Sequence, residues 1–332
     1  MTGLLSKLNL PYDLKHLSYN ELKGLAEEVR TLIIEATSRS GGHLASSLGA
    51  VELAVAIHAV YDSPKDRILW DVGHQAYAHK ILTNRSSKFS TLRQLDGISG
   101  FPNKEESPHD PFTVGHASTS ISQALGLARA REFLRENFNI VAVIGDGSLS
   151  GGLALEGVNN LQGLKENLVI VLNDNQLSIS KNVGAIADYF TKLRTSQTYV
   201  NFRDRVERML ERIPKIGVPL VKRAENLKNR IKHFLVDFKV GVIVEELGLR
   251  YLGPIDGHNI PLIMSTLQYA KEVKGPVVVH VLTKKGRGYK PSEADPTKFH
   301  GIAPFKIETG EAIARSDVPT YTSCLLYTSP SP

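Results

Sequence analysis

Cysteine is almost missing from the sequence: Cys324, among the last ten residues, is the only one. A disulfide framework is therefore excluded, and the body of the chain has no thiolate set for zinc. Long apolar runs are missing as well. The longest are five or six residues, far short of the roughly 20 that a membrane-spanning helix needs. No charged, apolar and small-residue leader precedes Pro11, so the expected location is cytoplasmic, with no membrane partner. Aromatic residues make up 7% of the chain. The net charge is +6, but residues 192–232 hold 12 Lys/Arg against 4 Asp/Glu, and the remainder is slightly acidic. With aromatic interleaving sparse, this local excess reads as a solvated helix face or a lid over an acidic ligand in preference to a nucleic-acid or membrane surface.

What is present is a core and an alternation. At 332 residues with 42% hydrophobic content, the chain can bury one large α/β core or two ordinary ones. Ser18 with Glu21 three residues on begins a helical pattern that stops at Gly41-Gly42. A second helix covers LGAVELAVAIHAVYD. The segment DRILWDVGHQ is a short strand delivering Gly73, His74 and Gln75, and HASTSISQALGLARAREFLREN is a third helix. NIVAVIGDG, a helix through LALEGVNNLQGL, and NLVIVLNDN repeat the unit. GLRYLGPIDGHN, a helix from Pro261 to Lys271, and GPVVVHVLTKKGRGY supply another. Strand, helix, strand at this spacing is the right-handed crossover of a parallel sheet, so the expected fold is a doubly wound, mainly parallel α/β sheet with its functional loops at the carboxyl edge. Residues 179–236 interrupt the alternation with two amphipathic patterns and read as a basic helical insert. Residues 318–332, rich in Ser, Thr and Pro and near-duplicated as YTSCLLYTSP, read as a non-native or disordered tail.

One strand end is chemically odd. Ile140 to Ile144 is uniformly apolar, as a strand buried on both faces must be, and it runs into Gly145-Asp146-Gly147. A glycine turn after such a strand usually cradles an anion, yet this one carries a carboxylate. The next strand ends in Asn175. Consecutive crossover partners tend to be neighbours, so Asp146 and Asn175 can converge on the crevice beyond the strand ends. A carboxylate and an amide oxygen, completed by diphosphate oxygens and water, suit Mg²⁺, which is held by few protein groups plus substrate phosphates. Two other phosphate motifs are excluded. GDGSLSGG lacks the Gly-x-Gly-x-x-Gly dinucleotide spacing, and TKKGRG has the wrong order for a P-loop, leaving it a basic loop near phosphate.

The GDG…NDN pairing resembles the thiamine diphosphate fingerprint of the transketolase-like enzymes. SGGHLASSLGAVEL, WDVGHQAYAHKILT, GISGFPNKEES, VGHASTSISQALGLA, SISKNVGA, YLGPIDGHN and TKKGRGYKPSE resemble, within that group, the 1-deoxy-D-xylulose-5-phosphate synthases. The resemblance covers residues 1–317 and matches the N-terminal, diphosphate-binding part. It implies a thiamine diphosphate and Mg²⁺ domain, with Asp146, Asn175 and the carbonyl near Leu177 as metal ligands. It also implies cofactor contacts from His74, Gly115, His116, Ala117, Gly147, Ser148, Asn175 and Tyr289, the last closing over the cofactor. His43 and His300 would serve the acceptor aldehyde and proton transfers. The implied reaction joins pyruvate to glyceraldehyde 3-phosphate with loss of CO₂, in a homodimer that makes isoprenoid, thiamine and pyridoxal precursors. The glutamate that protonates the aminopyrimidine is expected beyond these residues, leaving this piece inactive by itself.

Histidine placement supports a site on its own terms. His43, His74, His116 and His300 each sit beside glycine or at a loop mouth, where imidazoles can donate to phosphate and shuttle protons. His58, His79, His109 and His233 read as surface or packing residues, and His258 as structural. Two alternatives stay open. One is another thiamine diphosphate enzyme, a transketolase or a dehydrogenase E1 subunit, which GISGFP and GPIDGH argue against. The other is a non-catalytic module whose basic insert binds nucleic acid.

Overall fold

The computed structural model describes residues 3–175, 244–245, 247–313 and 321–328. The 179–236 insert, Leu177 and His233 lie outside the described residues. Helices α1 (Tyr19–Ser40), α2 (Leu44–Gly49) and α3 (Val51–Val60) precede strand β1 (Arg67–Trp70), followed by α4 (Tyr77–Lys80) and α5 (Ser120–Leu134). Then come β2 (Ile140–Gly145), α6 (Asp146–Leu149), α7 (Gly152–Asn159), β3 (Leu168–Asp174), β4 (Arg250–Asp256), α8 (Ile260–Glu272), β5 (Pro276–Leu282) and α9 (Lys290–Ala294). A last helix, α10 (Tyr321–Thr328), forms inside the stretch whose composition showed no helical period.

The five strands are all parallel, in the order β1-β2-β3-β5-β4. Successive side chains alternate between faces, and the core splits accordingly. Val141, Val143, Val169, Val171, Val277 and Val279 join α1, α3 and α8 on one side. Ile140, Ala142, Ile144, Leu168, Ile170 and Leu172 join α5 and α7 on the other. Burial on both faces is why these strands read as continuous apolar runs in the sequence. Pro254 is tolerated because β4 is an edge strand, and the register against β5 shifts between Leu252 and Ile255.

Several boundaries differ from the sequence expectation for local reasons. The helix expected from Leu48 to Asp62 is two helices that meet at Ala50. The one expected from His116 begins at Ser120, because Ser118 has φ +71° and buried Asp71 accepts from the Ser118 and Ser120 N–H groups at 2.9 and 3.0 Å. Gly115–Ala117 thus remains an exposed loop beside the strand ends. The α1 start is the expected one: Ser18 and Glu21 form a reciprocal capping box.

Candidate functional site at the carboxyl edge of the sheet

All five strands end on one side, and their following residues meet there. Asp146 opens α6 after β2, and its carboxyl accepts from the Gly147 and Asn175 backbone N–H groups. It is also hydrogen-bonded to Asp174, the last residue of β3. Two carboxyls can bond only by sharing a proton. Burial first, then the Asp174 charge and that hydrogen bond, push Asp146 up to about 6. Behind it, fully buried Asp174 bonds His280 Nε2 at 3.0 Å, and His280 Nδ1 lies 2.7 Å from the Tyr251 hydroxyl.

The turn that carries Gly147 and Ser148 is tied to the loop carrying Gly115, His116 and Ala117: the Ser118 hydroxyl donates to the Ser148 carbonyl at 2.7 Å. The room for a Cβ at Gly115 and Gly145 is open among the described residues. A cross-link at the mouth aligns three strand ends, with Asn173 Nδ2 donating to Gln75 Oε1 at 2.6 Å and Thr283 Oγ1 to Asn173 Oδ1 at 2.5 Å.

His43, His74 and His300 come together from three separate segments. Their ring centroids are 6.2 Å apart for His43–His74, 5.9 Å for His43–His300 and 5.6 Å for His74–His300. Burial, reinforced by the His300 and Arg93 charges, lowers His43 to about 4. Burial with the His300, His43 and Lys285 charges lowers His74 to about 3. Both are neutral imidazoles at neutral pH. Among the described residues their buried Nδ1 atoms lack a partner, an arrangement that native structures seldom keep without a ligand or a water. His300 Nδ1 lies 3.4 Å from Ser46 Oγ and 3.5 Å from Lys285 Nζ. Burial pushes the 5%-exposed Lys285 down to about 8, against the pull of Asp146.

Tyr289, expected to close over a cofactor, is 7% exposed and committed to neighbours within the chain. Its ring packs against Phe299 and Phe305, 5.7 and 6.0 Å between centroids, and its hydroxyl donates to the Ile307 carbonyl at 2.7 Å. Of the two readings open for His58, His79 and His109, surface or packing, the structure gives packing: each is buried inside a polar network. His258 takes a structural place, accepting from the Lys284 N–H at 2.9 Å through Nε2 and donating to Glu52 at 3.1 Å through Nδ1. Asp174, Lys285, His280 and Ser46 escaped the sequence reading. His280 left a signal, a lone polar residue inside an apolar strand, which a buried position must satisfy with partners.

With this geometry in view, the comparisons with known proteins become specific. The family model described as 1-deoxy-D-xylulose-5-phosphate synthase matches residues 5–283. The chain belongs to the 1-deoxy-D-xylulose-5-phosphate synthase family. Among curated synthases, that of Pelotomaculum thermopropionicum is 50% identical over 322 residues, covering 97% of this chain and 50% of its own length. That of Natranaerobius thermophilus is 51% identical over 323 residues, with 97% and 51% covered. The chain thus spans about half the length of the synthases it matches. Transketolases of Leishmania mexicana (TM-score 0.61, 18% identity, 87% of this chain and 40% of that one) and Campylobacter jejuni (0.59, 19%, 84% and 40%) share the fold.

Whether the synthase-family residues present suit thiamine diphosphate and Mg²⁺ is tested by their own chemistry. No group of three or more His, Cys, Asp or Glu gathers as a metal set among the described residues. A Mg²⁺ site completed by phosphate oxygens does not need one. Asp146 and Asp174 crowd two acids whose mutual hydrogen bond needs a proton, and a cation can replace that proton. His43 and His74 Nδ1, without a partner among the described residues, and the open room at Gly115 and Gly145 lie on segments next to this strand edge. The residues fit. No helix among the described residues is long and apolar enough to cross a membrane.

Proposed function

We propose that these residues form the diphosphate-binding half of a thiamine diphosphate-dependent synthase that joins pyruvate to glyceraldehyde 3-phosphate with loss of CO₂. The observation that carries this reading is the convergence of Asp146, Asn175 and the His43–His74–His300 cluster on one strand edge. Thiamine diphosphate, when bound, supplies the carbanion and electron sink that decarboxylation of a 2-oxo acid requires. Asp146, Asn175 and the carbonyl near Leu177 are assigned to Mg²⁺. The Gly147 and Ser148 backbone, His74 and the Gly115–His116–Ala117 loop are assigned to the diphosphate and thiazolium.

His43 and His300, neutral and adjacent, hold and pass a proton at the acceptor carbonyl oxygen. Lys285, beside His300, is placed to meet a substrate or cofactor phosphate. Tyr289 contributes by fixing the GRGY turn with its ring, since its hydroxyl is already committed to Ile307. We assign the working enzyme to a cytoplasmic homodimer, with catalysis drawing on the part of the relatives that this chain does not span.

The test is direct. In isothermal titration, Asp146→Ala should lose Mg²⁺-dependent thiamine diphosphate binding while circular dichroism and thermal melting show a folded chain. Unchanged binding in that variant sinks the metal assignment. The 332-residue chain, assayed with pyruvate and glyceraldehyde 3-phosphate, should release no CO₂. Turnover by this chain would refute the division of labour.

A further inference from the structure

The loop spanning residues 98–114 leads from a helical turn at Ser86–Thr91 to the Gly115–Ala117 segment. On the way it sets Phe101 5.4 Å from the His43 ring, and Pro102 where it leaves Gly73 no room for a Cβ. The loop has no helix or strand of its own, and local bonds such as Phe101 N–H to Ser99 Oγ and Val114 N–H to the Pro102 carbonyl, both 3.2 Å, shape its turns. Two inward-facing carboxylates anchor it to the rest of the chain. Asp110, 2% exposed, accepts from the Asn103 N–H at 2.9 Å, from His79 Nε2 at 2.8 Å and from Arg85 at 2.6 and 3.0 Å. Glu106 accepts from the Ser99 N–H at 2.8 Å, from Arg85 at 2.9 Å and from the Lys80 ammonium. His79, committed as donor to Asp110, accepts at Nδ1 from His58 at 2.9 Å. The two main-chain donors thus held, Ser99 and Asn103, bracket Phe101.

A buried array of this kind is a poor source of net stability, because apolar side chains of the same volume do as well or better. A hydrogen-bonded network instead favours one geometry, with His58 Nδ1 at its far end lacking a partner among the described residues. Holding a loop against the site is a use that matches these contacts.

We propose that Asp110 and Glu106 are positioning residues that clamp the 98–114 loop so that Phe101 covers His43 and excludes water from the acceptor side of the site. The catalytic meaning of that cover rests on the proposed role of His43, whereas the clamp is testable without cofactor or turnover. The readout is the titration midpoint of His43, followed by its Cε1–H resonance in the histidine-labelled chain. That midpoint is held at about 4 by burial first, with the His300 and Arg93 charges adding to it. Phe101→Leu should raise it toward the ordinary imidazole value, and Asp110→Asn and Glu106→Gln should raise it similarly. Ser18→Ala, at an exposed helix cap, should lower stability and leave the His43 midpoint alone.

A midpoint that stays at its parent value in folded Asp110→Asn and Glu106→Gln overturns the proposal. So does a Phe101→Leu chain whose His43 is unmoved. Should Asp110→Asn fail to fold, Glu106→Gln decides by itself, since Glu106 lies at the more accessible end of the network. Loss of Mg²⁺-dependent binding in Asp146→Ala is read separately, so failure of the clamp and failure of the synthase reading are distinguishable.

Discussion

Asp71 illustrates how much one side chain can organise at this strand edge. It is 1% exposed, and both of its oxygens receive backbone N–H groups, from Ser118 and Ser120. Ser118 in turn holds the Ser148 carbonyl, so the two loops assigned to the diphosphate share a single anchor. Asp71→Asn turns one acceptor into a donor facing a donor, which leaves a buried N–H unsatisfied at a cost of about 1–3 kcal/mol. Urea denaturation should read that loss, and thiamine diphosphate affinity should fall with it. In the candidate site, Asp146 and Asn175 stand out in the sequence because their types are wrong for an ordinary glycine turn and apolar strand end. Asp174 and Lys285 were not. Their importance lies in what they touch, Asp146 and His300, across 28 and 15 positions of sequence.

At the scale of elements, the α1 helix was readable from both ends. Ser18 and Glu21 form the expected capping box, and Gly41, at φ +72° and ψ 179°, takes a positive-φ conformation open to glycine where the helix stops. Ser18→Ala should destabilise the chain by about 1 kcal/mol in urea, with the site's affinity unchanged. The strands were readable for a different reason: burial on both faces leaves little place for polar residues, so Ile140–Ile144 and Leu168–Leu172 appear as unbroken apolar runs, with His280 in β5 and Asn173 and Asp174 at the end of β3 as polar exceptions. The start of α5 lies four residues past the expected one because the Ser118 and Ser120 N–H groups are satisfied from Asp71, on a different element. Short-range pattern carries no trace of such a long-range cap. The split of α2 from α3 at Ala50 is of the same kind, since Gly49 abuts the Lys284 carbonyl.

For the whole molecule, the buried imidazoles set the response to acid. Burial is the first cause lowering His43, His74, His58, His79 and His109, and the neighbouring charges add to or only partly offset it. The unfolded chain protonates these groups near pH 6.5 while the folded one does not, so it binds more protons and stability must fall as pH drops below about 6.5. Asp110 adds to this at lower pH. Burial would raise its carboxyl, but the His79 and Arg85 bonds and charges hold it well below the usual carboxylate range. Its contribution, present above pH 4 or so, is lost as pH falls further. Asp146 opposes, because a carboxyl raised to about 6 favours the folded state on acidification. Five imidazoles outweigh one carboxyl, so calorimetry from pH 7.5 to 5 should show a falling Tm, by about 2 °C for each kcal/mol lost. Mg²⁺ with thiamine diphosphate should raise the Tm at pH 7.5 by mass action, and a chelator should reverse the gain.

By itself the sequence determined the parallel α/β class, the strand ends that carry Asp146 and Asn175, and the placing of His43, His74, His116 and His300 beside glycines or loops. These follow from periodicity and residue type, which are local and are written along the chain. Only the tertiary structure decided which groups meet: the acid pair of Asp146 and Asp174, the neutral state of His43 and His74, Lys285 beside His300, and the burial of His58, His79 and His109. The reason is physical. Desolvation and charge pairing depend on distance in space, and the crossovers of a parallel sheet bring together residues that the sequence holds far apart.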